Sequence, residues 1–464
     1  MEGISRAASR PLDVSILRDR MSGEVVLPGE AGWDAARTPW NLAVEQRPEA
    51  VALPHTAADV ASVVNFAATN DVRVAVQGTG HGAAAMGPLD GAILMKTEQM
   101  RGIEVDADRR RTRVEAGVLW AEVAAAAGAH GLAALAGSSP DVGVVGYTLG
   151  GGLSWLARRY GLASSSVLAV ELVTADGRAR RVDASTDPEL FWALRGGGGS
   201  FGAVTAMEFA LHPVRSAYAG MLLWPIDRAG EVLSAWLEWT QGMPDDMTTV
   251  GRVLQLPPLP DIPEPFRGCA FAVIEAFHLG GEAAGAALLA PMRALRPEID
   301  TVTTIPAPAL SQVHMDPEHP VPGRGDGLLL ADLSQAGIDA LLAAAGPRSG
   351  SALLSVEIRQ LGGALARPAP GAGALSHIDA AYAVYAVGIA ATAEMGAAVE
   401  RSVDAVRGAL APWEADTAYL NTSERRTSGD RLFGEYTHHR LRAVKAAYDA
   451  GDLFRANHPL APAS

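Results

Sequence analysis

The chain of 464 residues has a single cysteine, Cys269, so no intrachain disulfide and no thiolate metal cluster can form. Its ordinary role is a small buried hydrophobe. Only two lysines occur, Lys96 and Lys445, so arginine carries nearly all the positive charge. The balance is acidic, with formal net charge −14 and pI about 5.3. Nucleic acid and anionic membrane surfaces need basic partners, so neither is expected. No run of about 18 apolar residues is present to span a bilayer. The first ten residues lack the apolar core of a signal peptide, which makes a cytoplasmic location the default expectation. Several catalytic signatures are also missing: Gly-Lys-Ser/Thr phosphate loops, His-Glu-x-x-His and Cys-x-x-Cys; Ser200, in Gly199-Ser-Phe-Gly202, comes nearest to a nucleophilic serine elbow, but its flanking pattern fails. No metal site is expected, and His438-His439, adjacent on a helix, diverge by about 100°.

What is present is ample material for a core, 48% hydrophobic against 19% charged, in a length that suits two or three units. Residues 1–12 read as a frayed leader and 12–20 as a short helix. A strand over 48–54, a helix over 56–70 and a strand over 72–77 make a βαβ-like beginning. Strands follow at 92–96, 103–106 and 112–116, then a helix at 119–127. Asp176-Gly177 marks a hairpin between strands 167–174 and 179–182. Asp187 is expected to cap a helix running to 194, and a strand follows over 203–212. From about 216, strands at 220–224, 269–277, 327–332 and 353–360 alternate with Ala-rich helices at 227–241, 281–294, 335–345 and 393–410. Proline-rich loops lie at 257–265 and 306–322. A helix over 432–450 carries Tyr436, Leu441, Val444 and Tyr448 on one face.

Three glycine-rich segments stand beside strands. The first, Gln77-Gly78-Thr79-Gly80-His81-Gly82, ends the 72–77 strand and holds one imidazole among glycines that can take φ > 0 and aim N–H groups at an anion. A tight turn whose histidine caps a carbonyl is the competing reading. The second, Gly137-Ser138-Ser139-Pro-Asp-Val142-Gly143-Val-Val-Gly146-Tyr147-Thr-Leu-Gly150-Gly151-Gly152, reads as an ordered ligand-binding loop. The third is Arg195-Gly-Gly-Gly-Gly199-Ser200-Phe-Gly202, leading into Val204. None is a dinucleotide fingerprint. The residues alone support a soluble α/β protein that holds a large phosphate-bearing cofactor by several glycine turns.

These segments resemble the vanillyl-alcohol-oxidase/PCMH flavoprotein superfamily, in its berberine-bridge-enzyme-like branch. So do Trp155-Leu-Ala-Arg-Arg-Tyr160-Gly-Leu and Tyr448-Asp-Ala-Gly-Asp-Leu-Phe454-Arg-Ala-Asn457-His-Pro. The resemblance covers the N-terminal half and the extreme C-terminus, with Leu361-Gly-Gly-Ala364 between. It implies an α+β fold: a two-subdomain FAD-binding domain over 16–215, a substrate domain over 216–411 with an antiparallel sheet covered by helices, and a segment 412–464 that returns to the first domain.

The resemblance also implies FAD bonded to His81, a link that makes the flavin a better oxidant and prevents its loss. Relatives with a second link use a cysteine where this chain has Ser139, so a single bond is expected, with a lower potential and a more open flavin face. Val142 falls on the oxygen-gating position, where valine accompanies oxidase behaviour. Tyr419-Leu-Asn421-Thr422 keeps the tyrosine and asparagine of the family's Tyr-x-Asn-Tyr and lacks its last tyrosine. Tyr419 is the candidate base, its pKa of ~10 lowered by Arg359; a solvated strand residue is the other reading of Arg359. Tyr147 is the next candidate, and Glu357, Gln360 and His377 are candidate pocket walls.

The cofactor contacts implied are Gln77, Gly78, Thr79, Gly80, His81, Gly82, Gly137, Ser138, Ser139, Val142, Gly143, Gly146, Tyr147, Gly150, Gly151, Gly202, Val204, Asn421 and Asn457. The expected activity is hydride transfer from a small-to-medium alcohol, amine or phenolic, secondary-metabolite-like, to FAD and then to O₂. A dehydrogenase, a tailoring monooxygenase and a non-catalytic sequestering protein are the alternatives. A homodimer is expected only from the general frequency of symmetric pairs.

Overall fold

The computed structural model describes residues 12–258, 262 and 264–463. Residues 1–11 of the expected leader and part of the 257–265 loop lie outside them. Three sheets organise the chain. The first contains β1 (Glu24–Val26), β2 (Ala50–Leu53), β3 (Arg73–Gln77) and β4 (Ala92–Lys96) in the order β1-β2-β4-β3. β4 runs parallel to both β2 and β3, and helix Ala57–Thr69 makes the crossover. That helix starts where the sequence predicts, because the Thr56 side chain accepts from the Asp59 N–H and Asp59 returns the bond.

The second sheet is antiparallel, with β5 (Ile103–Asp106), β6 (Arg111–Glu115), β7 (Val167–Val173), β8 (Ala179–Asp183) and β9 (Ala203–Ala210) in the order β5-β6-β9-β7-β8. Gly177, at φ +72°, supplies the β7–β8 turn.

The third sheet is also antiparallel. It holds β10 (Ser216–Pro225), β11 (Met247–Gln255), β12 (Ala270–His278), β13 (Ile299–Asp300), β14 (Thr303–Pro306), β15 (Gly323–Leu330), β16 (Ser355–Gln360) and β17 (Tyr382–Ile389). The order is β13-β10-β12-β11-β16-β17-β15, with β14 beside β10. Because side chains alternate along a strand, this sheet has two unlike faces. One packs Leu222, Trp224, Ile274, Val356, Ile358 and Val384 against Leu233, Trp236, Ile338, Leu341, Val399 and Val403 of the covering helices. The other carries Arg252, Glu275, Glu357, Arg359 and Tyr385 from β11, β12, β16 and β17, and their neighbours in register share that face: Arg252 with Glu357, and Glu357 with Tyr385. No helix among the described residues is long and apolar enough to cross a membrane.

Four expectations need correction. The 137–152 segment is not all loop: Val144–Leu149 is a helix. Asp187 begins its helix in the left-handed region without capping it, and its carboxylate instead accepts from the Tyr448 hydroxyl at 3.0 Å. The last helix is two, Gly429–Phe433 and Glu435–Tyr448, parted by Gly434 at φ +71°. Tyr436 is 80% exposed, so it does not share the inward face of Leu441 and Val444. β11 and β17 went unread because alanine, glycine and threonine blur the apolar alternation that marks a strand.

The C-terminal segment is tied back by Lys445, which is fully buried. Its ammonium donates to the Ser200 carbonyl at 3.0 Å and the Phe454 carbonyl at 3.2 Å, and it pairs with Asp449. Asp449 also accepts from the N–H groups of Leu453 and Phe454. Removing one member of a buried pair strands the other charge. Lys445→Met is therefore expected to destabilise the protein by about 3–5 kcal/mol, read as a lowered denaturant midpoint; an unchanged midpoint would contradict this role.

Candidate active site

β3 ends at Gln77, whose buried amide oxygen accepts from Gln46 at 3.0 Å. Only glycine fits at Gly80: φ is +94°, and a Cβ there would lie 2.7 Å from Pro39 Cβ and 2.9 Å from Gln77 Nε2. The turn delivers His81 onto Trp40, with ring centroids 4.0 Å apart and planes 21° from parallel. His81 Nδ1 hydrogen-bonds Thr79 Oγ1 at 2.7 Å, and Nε2 lies 3.5 Å from Asp141 Oδ1. The other Asp141 oxygen accepts from Trp40 Nε1. Neither His81 Nε2 nor Asp141 Oδ1 has a hydrogen-bond partner, although both are buried.

The second glycine segment runs alongside. A Cβ on Gly143 would touch Thr79 at 3.7 Å, so the two turns are in contact. Ser138 and Ser139 both donate to Asp316 Oδ2 at 2.7 Å; against the carboxyl's burial, the His314 charge first, then Ser139, Arg252 and Ser138, hold it down to about 2. Gly146 faces open space, and a Cβ on Gly78 would make only ordinary contact, 4.0 Å from the Ala116 carbonyl oxygen and Thr97 Oγ1. Gly137 and Gly152 leave room for the Tyr147 ring, whose hydroxyl donates to the Leu135 carbonyl at 3.1 Å. Gly150 and Gly151 leave room for Asn421 and Tyr419. Asn421 Nδ2 reaches the Tyr147 carbonyl at 2.9 Å and the Tyr419 hydroxyl at 3.3 Å. Asn457 stands next to Gly82. Gly202 and Val204 sit at the start of β9, where Gly202 packs on β7 and Val204 belongs to the core.

Tyr419 is buried at 4% exposure. Burial raises its pKa well above the ordinary value, while the N–H of Gly152, the Arg359 charge, Asn421 and the N–H of Leu153 pull the other way. The expectation that Arg359 brings this pKa below its usual value is therefore not met, because desolvation outweighs the cation. Tyr147 is raised as well, by burial and then by Tyr419, with Arg359 opposing. Arg359 is not solvated. Its Cζ lies 4.3 Å from the centroid of the Trp155 ring, its terminal nitrogen reaches Glu357 at 3.3 Å, and its Nε is buried without a partner. Burial works against its charge, but Glu357, Glu275 and Tyr147 more than offset that and raise its pKa.

Tyr147, Tyr419, Asn421 and Arg359 thus meet in one place, with Glu357 beside them. Gln360 does not join them; it points to the helix layer, donating to the Thr240 carbonyl at 2.7 Å. His377 is engaged with Ser376. Sequence reasoning missed Trp40, Asp141, Glu275, His314, Asp316, Tyr385 and Glu424, the last receiving the Tyr385 hydroxyl and the Gly325 N–H. The available signal was a single charged residue inside an otherwise apolar strand, as in Phe271-Ala-Val-Ile-Glu275.

An FAD binding domain model matches residues 48–183, and a berberine and berberine-like model matches 418–461. The chain is 37% identical over 205 residues to (R)-6-hydroxynicotine oxidase of Paenarthrobacter nicotinovorans, covering 44% of this chain and 45% of that protein. It is 31% identical over 224 residues to glucooligosaccharide oxidase of Sarocladium strictum, covering 47% and 45%. The chain thus spans about half the length of these curated relatives in alignment. A solved 6-hydroxy-D-nicotine oxidase from Arthrobacter nicotinovorans superposes with TM-score 0.82 at 27% identity, over 96% of this chain and 98% of the other. The Physcomitrella patens BBE-like 1 wild-type structure shares the fold, with TM-score 0.83 at 21% identity, over 97% and 98%.

The residues present fit FAD. The two glycine turns that touch at Gly143 and Thr79, with open space at Gly146, make the candidate flavin trough, and beside it His81 Nε2 and Asp141 Oδ1, 3.5 Å apart, are buried without a hydrogen-bond partner. The close fit of Gly150 against Asn421 is testable. A Cβ would stand 1.8 Å from Asn421 Oδ1. Gly150→Ala is expected to cost about 1–3 kcal/mol of stability by overpacking, and Gly150→Ala with Asn421→Ala should recover most of it in thermal melts. Equal loss in the single and double variants would place the strain elsewhere.

Proposed function

We propose that the chain is an oxidase of the berberine-bridge-enzyme-like FAD-linked kind, a reading supported by the FAD binding and berberine-like domain matches and by the similarity to FAD-linked oxidases. It oxidises a small-to-medium alcohol, amine or phenolic substrate of secondary-metabolite type, and O₂ is the final electron acceptor. FAD, when bound, supplies the hydride-accepting and oxygen-reducing chemistry. Gly78–Gly82, Gly137–Gly143, Gly146, Gly150, Gly151 and Asn457 would hold it, and His81 would anchor it by one covalent bond. Ser139, whose hydroxyl is already committed to Asp316, offers no second bond.

The observation that carries the reading is the surroundings of the Tyr419 oxygen. The N–H groups of Gly152 and Leu153, the Asn421 amide and the Arg359 charge all favour negative charge there. In its phenolate form Tyr419 takes the heteroatom proton of the substrate as the C–H bond breaks and is left a neutral phenol; the surrounding donors stabilise the phenolate from which it starts. Trp155 and Glu357 hold Arg359 in place for that purpose.

Two experiments test this. Tyr419→Phe is expected to slow anaerobic flavin reduction by ~10²-fold or more, the scale of a lost general base. Because the Tyr419 pKa is raised, the phenolate fraction is small at neutral pH and grows about tenfold per pH unit. The wild-type rate should therefore climb with pH well past neutrality, and in Tyr419→Phe the climb should vanish. A rate loss under threefold, or an unaltered pH profile, moves the role to another group. Separately, a protease digest of the wild-type enzyme should place flavin fluorescence on the peptide that contains His81. A digest in which only free flavin fluoresces would rule out the covalent anchor.

A further inference from the structure

The proposed mechanism leaves one buried titratable group unused. His314 lies on the strap between the Ala307–Gln312 turn and β15, at 6% exposure. Both of its ring nitrogens face carboxylates. Nδ1 is 2.8 Å from Glu275 Oε2 of β12, while Nε2 is 3.2 Å from Glu357 Oε2 of β16 and 3.7 Å from Asp316 Oδ1 of the strap itself. A neutral imidazole has one N–H and can serve only one side. An imidazolium serves both.

The charges around the ring also balance only in that form. Arg252 of β11 meets Glu275 at 3.3 Å and gives a further hydrogen bond to the His314 carbonyl at 3.0 Å. Arg359 of β16 meets Glu357. Arg252, Arg359 and a protonated His314 face Glu275, Glu357 and Asp316, three positive against three negative. A neutral ring would leave one net negative charge in a buried place, which is costly. Consistent with this, burial and Arg252 press the His314 pKa down, yet Glu275, Asp316 and Glu357 outweigh them and raise it.

The strap connects two regions. Beyond Asp316, Leu42 N–H donates to the Val321 carbonyl at 3.0 Å, two residues from Trp40. Asp316 grips Ser138 and Ser139 of the second glycine segment. Through Glu357, the same imidazole bears on Arg359 and so on Tyr419. We infer that His314 is a positioning residue, held as an imidazolium, that fixes the Arg359–Tyr419 pocket of the substrate sheet against the Ser138–Ser139 wall of the flavin trough. Its kinetic consequence rests on the flavin reading above; its protonation does not.

The direct test is NMR of holoenzyme labelled with ¹³C-histidine. The His314 signal is identified by its absence in His314→Gln or, should that variant not fold, by its displacement in Asp316→Asn. The ring should remain an imidazolium above the ordinary histidine value near 6.5. A ring that is neutral at pH 7 overturns the inference, whatever the flavin does. In anaerobic reduction, His314→Gln should slow the reaction by about tenfold or more, and adding Glu275→Gln, which removes the surplus negative charge, should recover most of the rate, as coupled neighbours do. Two losses that simply add would show the imidazole to be packing alone. Protein without bound flavin would defeat the flavin reading and leave the NMR result standing.

Discussion

The segment from Ser138 to Gly151 is gripped along its whole length, and the rest of the site depends on that. Asp141 binds Trp40 and faces His81; Ser138 and Ser139 are held by Asp316; Gly150 and Gly151 admit Asn421 and Tyr419. Each grip comes from a different part of the chain: the first sheet, the strap after residue 312 and the C-terminal segment. Side chains at the glycine positions would force these partners apart. The trough is therefore a consequence of three remote segments meeting on one strip of backbone.

The eight-stranded sheet supplies the other wall, and its two faces obey different physics. Toward the helices it is a dry apolar core. Toward the trough it carries arginines and carboxylates that are each paired, because an unpaired charge at this depth would be prohibitive. Burial favours the neutral phenol of Tyr419, while the donors around its oxygen favour the phenolate, the form that can accept a proton. Desolvation and the fixed dipoles therefore oppose each other at this oxygen, and their balance sets how much reactive phenolate is present at a given pH.

Much of the first half was legible in the sequence because its signals are local. The capping box at Thr56 and Asp59, the Asp176-Gly177 turn and the glycines after β3 each specify geometry within a few residues. The resemblance singled out Tyr419 and Asn421, with Arg359 a candidate cation or a solvated strand residue; in the structure the Asn421 amide reaches the Tyr419 hydroxyl and the buried Arg359 charge bears on it. What stayed hidden is non-local. Nothing near His314 in the sequence shows that Glu275, 39 residues away, and Glu357 will flank its ring. The sign of the Tyr419 shift was missed for a related reason. A neighbouring arginine can be guessed from a motif, whereas the depth of burial that outweighs it comes only from packing. Gln360 was misplaced by strand alternation itself: one position from Arg359, it must face the other way.

The central claim is that this trough holds FAD through a bond to His81. It is tested most directly by the absorbance spectrum of the purified wild-type protein, recorded before and after acid precipitation. The account predicts a yellow protein whose colour stays in the pellet. Colour that passes entirely into the supernatant would contradict the covalent anchor, and a protein that cannot be made yellow even with added FAD would contradict the flavin site itself.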